Sequence, residues 1–146
     1  MIINNTKQSE HLSHSLQKSG MRLTPQRIAI CNYLASREDH PTAADIYQHL
    51  KSQYTSLSLA TVYNTLDVLV ALGEINALGN AGDGMVHFDP RTDPHINLAC
   101  VQCHEITDIA SPHIQQMNAE IKDTSGYRLL GSRVLYYGVC PDCQTK

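Results

Sequence analysis

Apolar residues in the first half of the chain recur at helical spacing. Leu12 and Leu16 stand four apart in a polar stretch over 8–19 that stops at Gly20, as in a helix with one buried stripe. Thr24-Pro25 reads as an N-cap with proline at the first helical position, opening a second helix through Ile28, Ile30, Cys31 and Leu34. Pro41-Thr42 opens a third, with Asp45 three residues after Thr42 in a capping-box arrangement and Ile46, Tyr47 and Leu50 as its apolar face. Ser58 caps a fourth helix running to Leu72, with Leu59, Val62, Leu66, Leu69 and Val70 as its stripe and Gly73 as its stop.

The period then changes. Residues 74–78 and 85–88 read as two short strands around Gly79-Asn-Ala-Gly-Asp-Gly84, a glycine-rich hairpin turn. Helices followed by a two-stranded hairpin are the order of a winged helix-turn-helix. Asp89-Pro-Arg-Thr-Asp-Pro94 has two prolines and no period, so it reads as a linker. Beyond it the pattern predicts strands at 95–99 and 106–109, a helix at 112–124 and a strand near 127–137. The expected class is α+β: a winged-helix domain over 1–88, a linker over 89–94 and a small α/β domain over 95–146. So small a second domain needs a metal and a partner chain to be stable.

Composition narrows the chemistry. No apolar run approaches the roughly 18 residues of a membrane span. The opening MIINNTKQSEHLSH lacks the basic-then-apolar order of a signal peptide. A cytoplasmic protein is expected, in which five cysteines are metal ligands or thiols rather than disulfides. The formal net charge of −3 by itself argues against nucleic acid. The distribution argues the other way: Lys18, Arg22, Arg27 and Arg37 fall in a stretch without acids, and the acids gather late.

Cys100-Val-Gln-Cys103 and Cys140-Pro-Asp-Cys143 are two C-x-x-C pairs. That spacing lets the chain wrap a metal so that both sulfurs reach it, and two such pairs complete a closed tetrahedral zinc site. The gap between the pairs exceeds that of a zinc ribbon, so another fold must bring them together. The rival chemistry is thiol–disulfide exchange at Cys-Pro-x-Cys, disfavoured by the second pair and by the lack of a βαβ pattern before Cys140. Cys31 sits at a helical core position and reads as a small buried hydrophobe. Eight histidines are many for this length. His87, Asp89, His95, His104 and Asp108 cluster around the linker, an imidazole and carboxylate mixture that suits Fe2+, Mn2+ or Zn2+ rather than Ca2+ or Mg2+.

These segments, taken together, resemble the ferric uptake regulator family: Arg22-Leu-Thr-Pro-Gln-Arg27, His40-Pro-Thr-Ala-Ala-Asp-Ile-Tyr47, Ser58-Leu-Ala-Thr-Val-Tyr63, His95 five residues before Cys100-x-x-Cys103, and Tyr137-Gly-Val-Cys140-x-x-Cys143. The likeness runs from about residue 8 to the end. It implies a homodimer that binds a palindromic DNA operator, with a C-terminal dimerisation domain and a regulatory Fe2+ or Mn2+ site between the domains, besides the structural Zn2+. By position the regulatory ligands would be His40, Asp89, His95 and Asp108. Aspartates at 89 and 108, where iron sensors have glutamates, resemble the peroxide-responsive repressor branch. One position departs: the histidine usual three residues before Cys100 is Asn97 here. The missing donor is either the Asn97 amide oxygen or His11 or His14 of the first helix. The family's further metal site lacks its histidine, replaced by Ser132.

If the apolar stripe of the fourth helix faces the core, Ser58, Ala60, Thr61 and Asn64 are left for the DNA groove. The resemblance adds Tyr63, whose competing role is core packing. Asn64 stands where many relatives have arginine. Lys18, Arg22 and Arg27 would contact phosphates, which position a protein without specifying sequence. The expected function is a metal-dependent repressor that senses peroxide through oxidation of metal-bound histidines, and no enzyme. The alternatives are a repressor of the same fold that reads iron, manganese or zinc availability, and a thiol-based redox protein.

Overall fold

A computed structural model describes residues 5–80 and 82–146. Residues 1–4, in the stretch read above for a leader, and Ala81, in the glycine-rich turn, lie outside the described residues. The chain is α+β. Four helices, α1 (Asn5–Lys18), α2 (Pro25–Ser36), α3 (Ala43–Leu50) and α4 (Leu59–Ala71), precede a hairpin of β1 (Asn76–Leu78) and β2 (His87–Asp89). There follow β3 (Ile96–Cys100), β4 (Ile106–Ile109), α5 (Pro112–Ser125), β5 (Val134–Gly138) and a last turn of helix, α6 (Pro141–Gln144). No helix among the described residues is long and apolar enough to cross a membrane.

The caps do what their residue types dictate. Thr24 accepts the Arg27 amide at 3.2 Å, Ser58 accepts that of Thr61 at 3.1 Å, and Thr42 and Asp45 form the full capping box. Leu12, Leu16, Ile30, Leu34, Ile46, Val62, Leu66, Leu69 and Ile75 close one aliphatic core between α1 and the hairpin. The α4 stripe is shifted from expectation. Leu59 is 40% exposed, while Thr65 is fully buried with its hydroxyl satisfied by the Thr61 carbonyl at 2.8 Å.

β4 falls on the expected residues and β3 keeps its expected length one residue later, but β1, β2 and β5 are shorter than their apolar patterns suggested. Glu74 leaves the hairpin to meet α1, and Met85 and Val86 stay exposed outside β2. The ladder starts only at His87, after Gly84 in the left-handed region and Asp83 folded back on the Met85 amide. β2 takes in Asp89, which the sequence had assigned to the linker. The stretch near 127–137 gives a strand only from Val134, since Gly126 turns the chain out of α5 in the left-handed conformation and Tyr127 and Leu130 stay in water.

The second sheet has the order β4-β3-β5, with β3 antiparallel to β4 and parallel to β5. α5 supplies the crossover between the parallel pair. The hairpin leans on this sheet: Arg133 donates to the Ala77 carbonyl, and a Cβ at Gly79 would meet the Tyr137 hydroxyl at 3.1 Å.

Candidate metal centres

The parallel register sets Cys100 beside Gly138, so β3 and β5 end at one level. Past that level the Val101 amide still bonds the Gly138 carbonyl at 2.9 Å, and the turn closes with His104 in the left-handed region. Pro141 starts α6 directly after Cys140, returning Cys143 over the same spot. The four sulfurs lie within 4.8 Å of one another. Cys103 and Cys140 are 3.9 Å apart, far beyond a disulfide and close to the about 3.8 Å edge of a tetrahedron with Zn–S near 2.3 Å.

The thiols of this cluster do not share one acidity. Amides of Cys103 and Cys140 support a thiolate on Cys100, lowering it to about 5, whereas the neighbouring Cys140 sulfur and burial push Cys143 up to about 12. Adjacent sulfurs that resist a second negative charge are a donor set completed by a divalent cation. Cys31 stands apart in the core, its thiol raised to about 11 by burial, as its packing role requires.

The second cluster joins three parts of the fold. His40 lies between α2 and α3, Asp89 ends β2, His95 precedes β3, and Asp108 sits on β4. Donor atoms of His40, Asp89 and Asp108 fall within 4.8 Å of one another. His40 Nε2 is 2.8 Å from Asp108 Oδ1 and 3.6 Å from Asp89 Oδ2, and His95 Nε2 is 2.7 Å from Asp89 Oδ2 and 3.7 Å from Asp108 Oδ1. Despite the short approach, neither His40 Nε2 nor Asp108 Oδ1 makes an aligned hydrogen bond, and both are buried. Lone pairs converging on a common point rather than on each other are the arrangement of metal ligands.

Asn97 belongs to the same neighbourhood. It is buried, stands opposite Asp108 in the β3–β4 register, and its Oδ1 has no hydrogen-bond partner. A buried amide oxygen left orphaned costs about 1–3 kcal/mol unless something satisfies it, and a cation would. α1 does not bring its histidines here. His11 Nε2 is held 2.6 Å from Glu74 Oε2, whose other oxygen accepts Ser15, and His14 lies exposed along the groove between α1 and α2.

Charge explains the acidities. For Asp89, burial alone would raise the carboxyl, but the rings of His40 and His95 and the Arg91 amide outweigh it and hold it well below the usual range. Asp89 also raises His95 to about 9, helped by the Asp93 carbonyl that accepts from Nδ1 at 2.6 Å. For His40, burial pulls down while Asp89 and Asp108 push up and win. Two contacts of the site were not foreseen from sequence, although His87 itself stood in the cluster read around the linker. Arg91 Nη1 lies 3.8 Å from Asp108 Oδ2, and His87 bonds the His40 carbonyl. Strand alternation was the available signal for His87, since it puts residues 87 and 89 on one face.

On α4, Ser58, Ala60 and Asn64 are exposed and Thr61 is half-buried; Tyr63 is 45% exposed, so its ring is not core packing. Lys18 and Arg22 are exposed at the α1–α2 corner, and Gln26 ties that corner to Ser56 just before α4. Arg27 is partly committed elsewhere, donating to the Arg22 carbonyl at 2.6 Å.

The model of the ferric uptake regulator family matches residues 18–137 of this chain. The peroxide-responsive repressor PerR of Staphylococcus aureus is 38% identical over 132 residues, covering 90% of this chain and 88% of that one. Among solved structures, PerR from Streptococcus pyogenes, described in terms of peroxide sensing and gene regulation, is 34% identical with a TM-score of 0.54, covering 94% of this chain and 93% of its own. The Helicobacter pylori ferric uptake regulator, described as having three functional metal-binding sites, superposes with a TM-score of 0.77 over 98% of this chain and 95% of its own; at 21% identity it speaks to the fold alone.

Proposed function

The chain belongs to the ferric uptake regulator family of metal-responsive repressors, and we propose that it is a homodimeric, cytosolic DNA-binding repressor whose operator affinity is set by a second metal ion and lost on peroxide oxidation. The observation that carries this reading is the meeting of His40, Asp89, His95 and Asp108. These residues come from the helical part, the hairpin and the second sheet, so sharing one ion fixes the angle between two bodies, the helices with their hairpin up to Asp89 and the part from residue 95 onward, hinged at 90–94. In a dimer that angle sets the distance between two recognition helices on a palindromic site. Metal then favours the DNA-binding geometry, and DNA must favour metal by the same factor.

Structural Zn2+ at Cys100, Cys103, Cys140 and Cys143 fits the thiolate set. Fe2+ or Mn2+ fits the mixed imidazole and carboxylate set, with the orphaned Asn97 oxygen as the further donor in place of His11 or His14. Dimerisation is supported by α5, whose stripe of Ile114, Met117 and Ile121 buries only the first, and by Leu98 and Tyr136, cross-strand partners both exposed on the sheet. DNA contact is assigned to Ser58, Ala60, Thr61, Tyr63 and Asn64, with Lys18, Arg22 and Arg27 toward phosphates.

Asp108→Ala is expected to abolish metal-activated operator binding while leaving one zinc per chain and the dimer intact. Fluorescence anisotropy on operator DNA should also show wild-type affinity falling steeply with salt. Full operator affinity in a chelator that spares the cysteine zinc contradicts the domain-locking reading.

Proton competition gives a second expectation. His95 is raised to about 9, so its contribution to the metal-free fold is complete below the ordinary histidine value and fades as pH rises through about 9. Asp89 is depressed, so its contribution is complete above the ordinary aspartate range and fades in acid. A cation needs the His95 proton gone. Mn2+ affinity should therefore rise at least about tenfold per pH unit between neutrality and the His95 value, and more steeply where His40, also raised, must give up its proton. Chelator-competition titrations check this; a flat profile removes His95 from the ligand set.

The reading of metal availability without oxidation keeps the same ligands and DNA surface, and the peroxide experiment below separates the two.

A further inference from the structure

The ring of His87 is buried, lies outside the ligand set, and is engaged at both nitrogens. Nδ1 stands 2.7 Å from the His40 carbonyl oxygen, which only accepts, so the ring donates there. Nε2 stands 2.9 Å from Asp83 Oδ2 in the hairpin turn, and the other oxygen of that carboxylate accepts the Met85 amide at 3.0 Å.

The surroundings show what the bond to His40 adds. Phe88 points into the core, so alternation along β2 puts His87 and Asp89 on the opposite face together. Asp89 approaches the His40 ring while His87 holds the His40 carbonyl, and one face of one strand thereby addresses both ends of that residue. Residues 41 and 42 have their own backbone ties to β2, through the Phe88 amide on the Pro41 carbonyl at 2.9 Å and the bridge between Thr42 and His87. His40 itself lies in no helix or strand, and the contact to its carbonyl comes from His87.

We propose that His87 is a positioning residue that seats His40 for the shared ion and yokes it to the Asp83 turn of the wing, so that ligand and wing move as one piece. This rests on reading His40, Asp89, His95 and Asp108 as a regulatory metal site. It gives metal occupancy a direct line to the wing, the part of a winged helix that flanks the recognition helix on DNA, besides the change of angle between the two bodies.

Three substitutions in the zinc-loaded dimer test it. An asparagine amide can stand where Nδ1 stands and still donate to the His40 carbonyl, but it cannot reach Asp83. Glutamine reaches toward Asp83 but vacates the Nδ1 position, and valine does neither. His87→Val and His87→Gln should lower Mn2+ affinity about ten- to a hundredfold, the usual effect of losing a group that orients a ligand, while His87→Asn stays close to wild type. Amide exchange at Phe88, measured without Mn2+, should quicken in His87→Val and His87→Gln and not in His87→Asn. Adding Mn2+ should slow exchange of the Met85 amide in wild type but not in His87→Asn, which keeps the seat and lacks the yoke. Wild-type Mn2+ affinity in His87→Val, or His87→Asn as impaired as valine in both readouts, overturns the proposal. If valine prevents folding, the asparagine and glutamine pair decides alone. Should wild type bind no Mn2+ beyond its zinc, the regulatory-site reading fails while Phe88 exchange still decides whether His87 seats His40.

Discussion

Cys140→Ser is expected to cost zinc, dimer and solubility together, the largest single-residue effect in the molecule. The second sheet has three strands of five residues or fewer, α5 buries only Ile114, and β5 has no fully buried residue. Such a body has little apolar burial of its own to offset the entropy of ordering it. Four thiolates instead tie the ends of β3 and β5 and the start of α6, and closing that site contributes on the order of 10 kcal/mol, which no other feature of residues 95–146 matches. Serine at 140 leaves three thiol donors; it can still cap α6, where Cys140 makes no side-chain capping bond, so the loss is that of the metal ligand. Metal analysis should fall from one zinc per chain to none. Sedimentation should show monomer or aggregate. Amide exchange should lose protection at Ile96–Cys100 while Leu66 and Leu69 in the helical core keep theirs. A zinc-free Cys140→Ser protein that stays dimeric contradicts the assignment, and retained exchange protection in β3 would show that packing alone holds the sheet.

How much of this could be read from the sequence depended on how local its cause was. Helix starts at Thr24, Thr42 and Ser58 were legible because a cap is decided within four residues. Strand ends were legible at β4 but not in the hairpin or at β5, because a ladder depends on a partner. Met85 and Val86 are as apolar as the strand pattern asks, yet Gly84 and Asp83 leave them outside β2. The four-cysteine cluster was legible from spacing. The second cluster was legible in part from spacing, which gathers Asp89, His95 and Asp108 around the linker, whereas His40, far earlier in the chain, entered only through resemblance. Asn97 and the α1 histidines were open alternatives in the sequence, and our proposal of Asn97 rests on burial: it lies inside with an orphaned oxygen, whereas His11 bonds Glu74. His87 was read among the histidines around the linker, but its contact escaped because the partner is a backbone carbonyl 47 positions away, which no residue type announces.

Mild hydrogen peroxide is expected to add one oxygen atom to His40 or His95 in iron-loaded protein, to release operator DNA, and to do neither in manganese-loaded protein. Ferrous iron held by these residues would supply the first electron that cleaves the peroxide O–O bond and would regain it from the ring, a step manganese(II) starts far less readily; the two electrons that peroxide takes up come in the net from the ring, one C–H becoming C–O with one water released. The geometry of the chain decides where that oxygen goes. His40 Nε2 and His95 Nε2 both lie within 4 Å of the Asp89 and Asp108 oxygens, so their rings border the place where the oxidant forms. His87 is equally buried, but its two nitrogens are turned to the His40 carbonyl and Asp83, and its mass should not change. Cysteines closed around zinc should be spared, because zinc does no redox chemistry and coordination occupies the sulfur lone pairs. Exposed Met85 and Met117 serve as internal controls for diffusing oxidant, since thioethers oxidise wherever oxidant reaches them. An oxidised imidazole is a poorer donor; loss of His40 frees the helical part from the second sheet, and loss of His95 frees Asp89. Peptide mass spectrometry of both metal forms, with anisotropy on the same samples, makes the test. Oxygen found only on cysteines or methionines, or equally with both metals, sinks histidine-based peroxide sensing and leaves a repressor that reads metal availability through the same ligands.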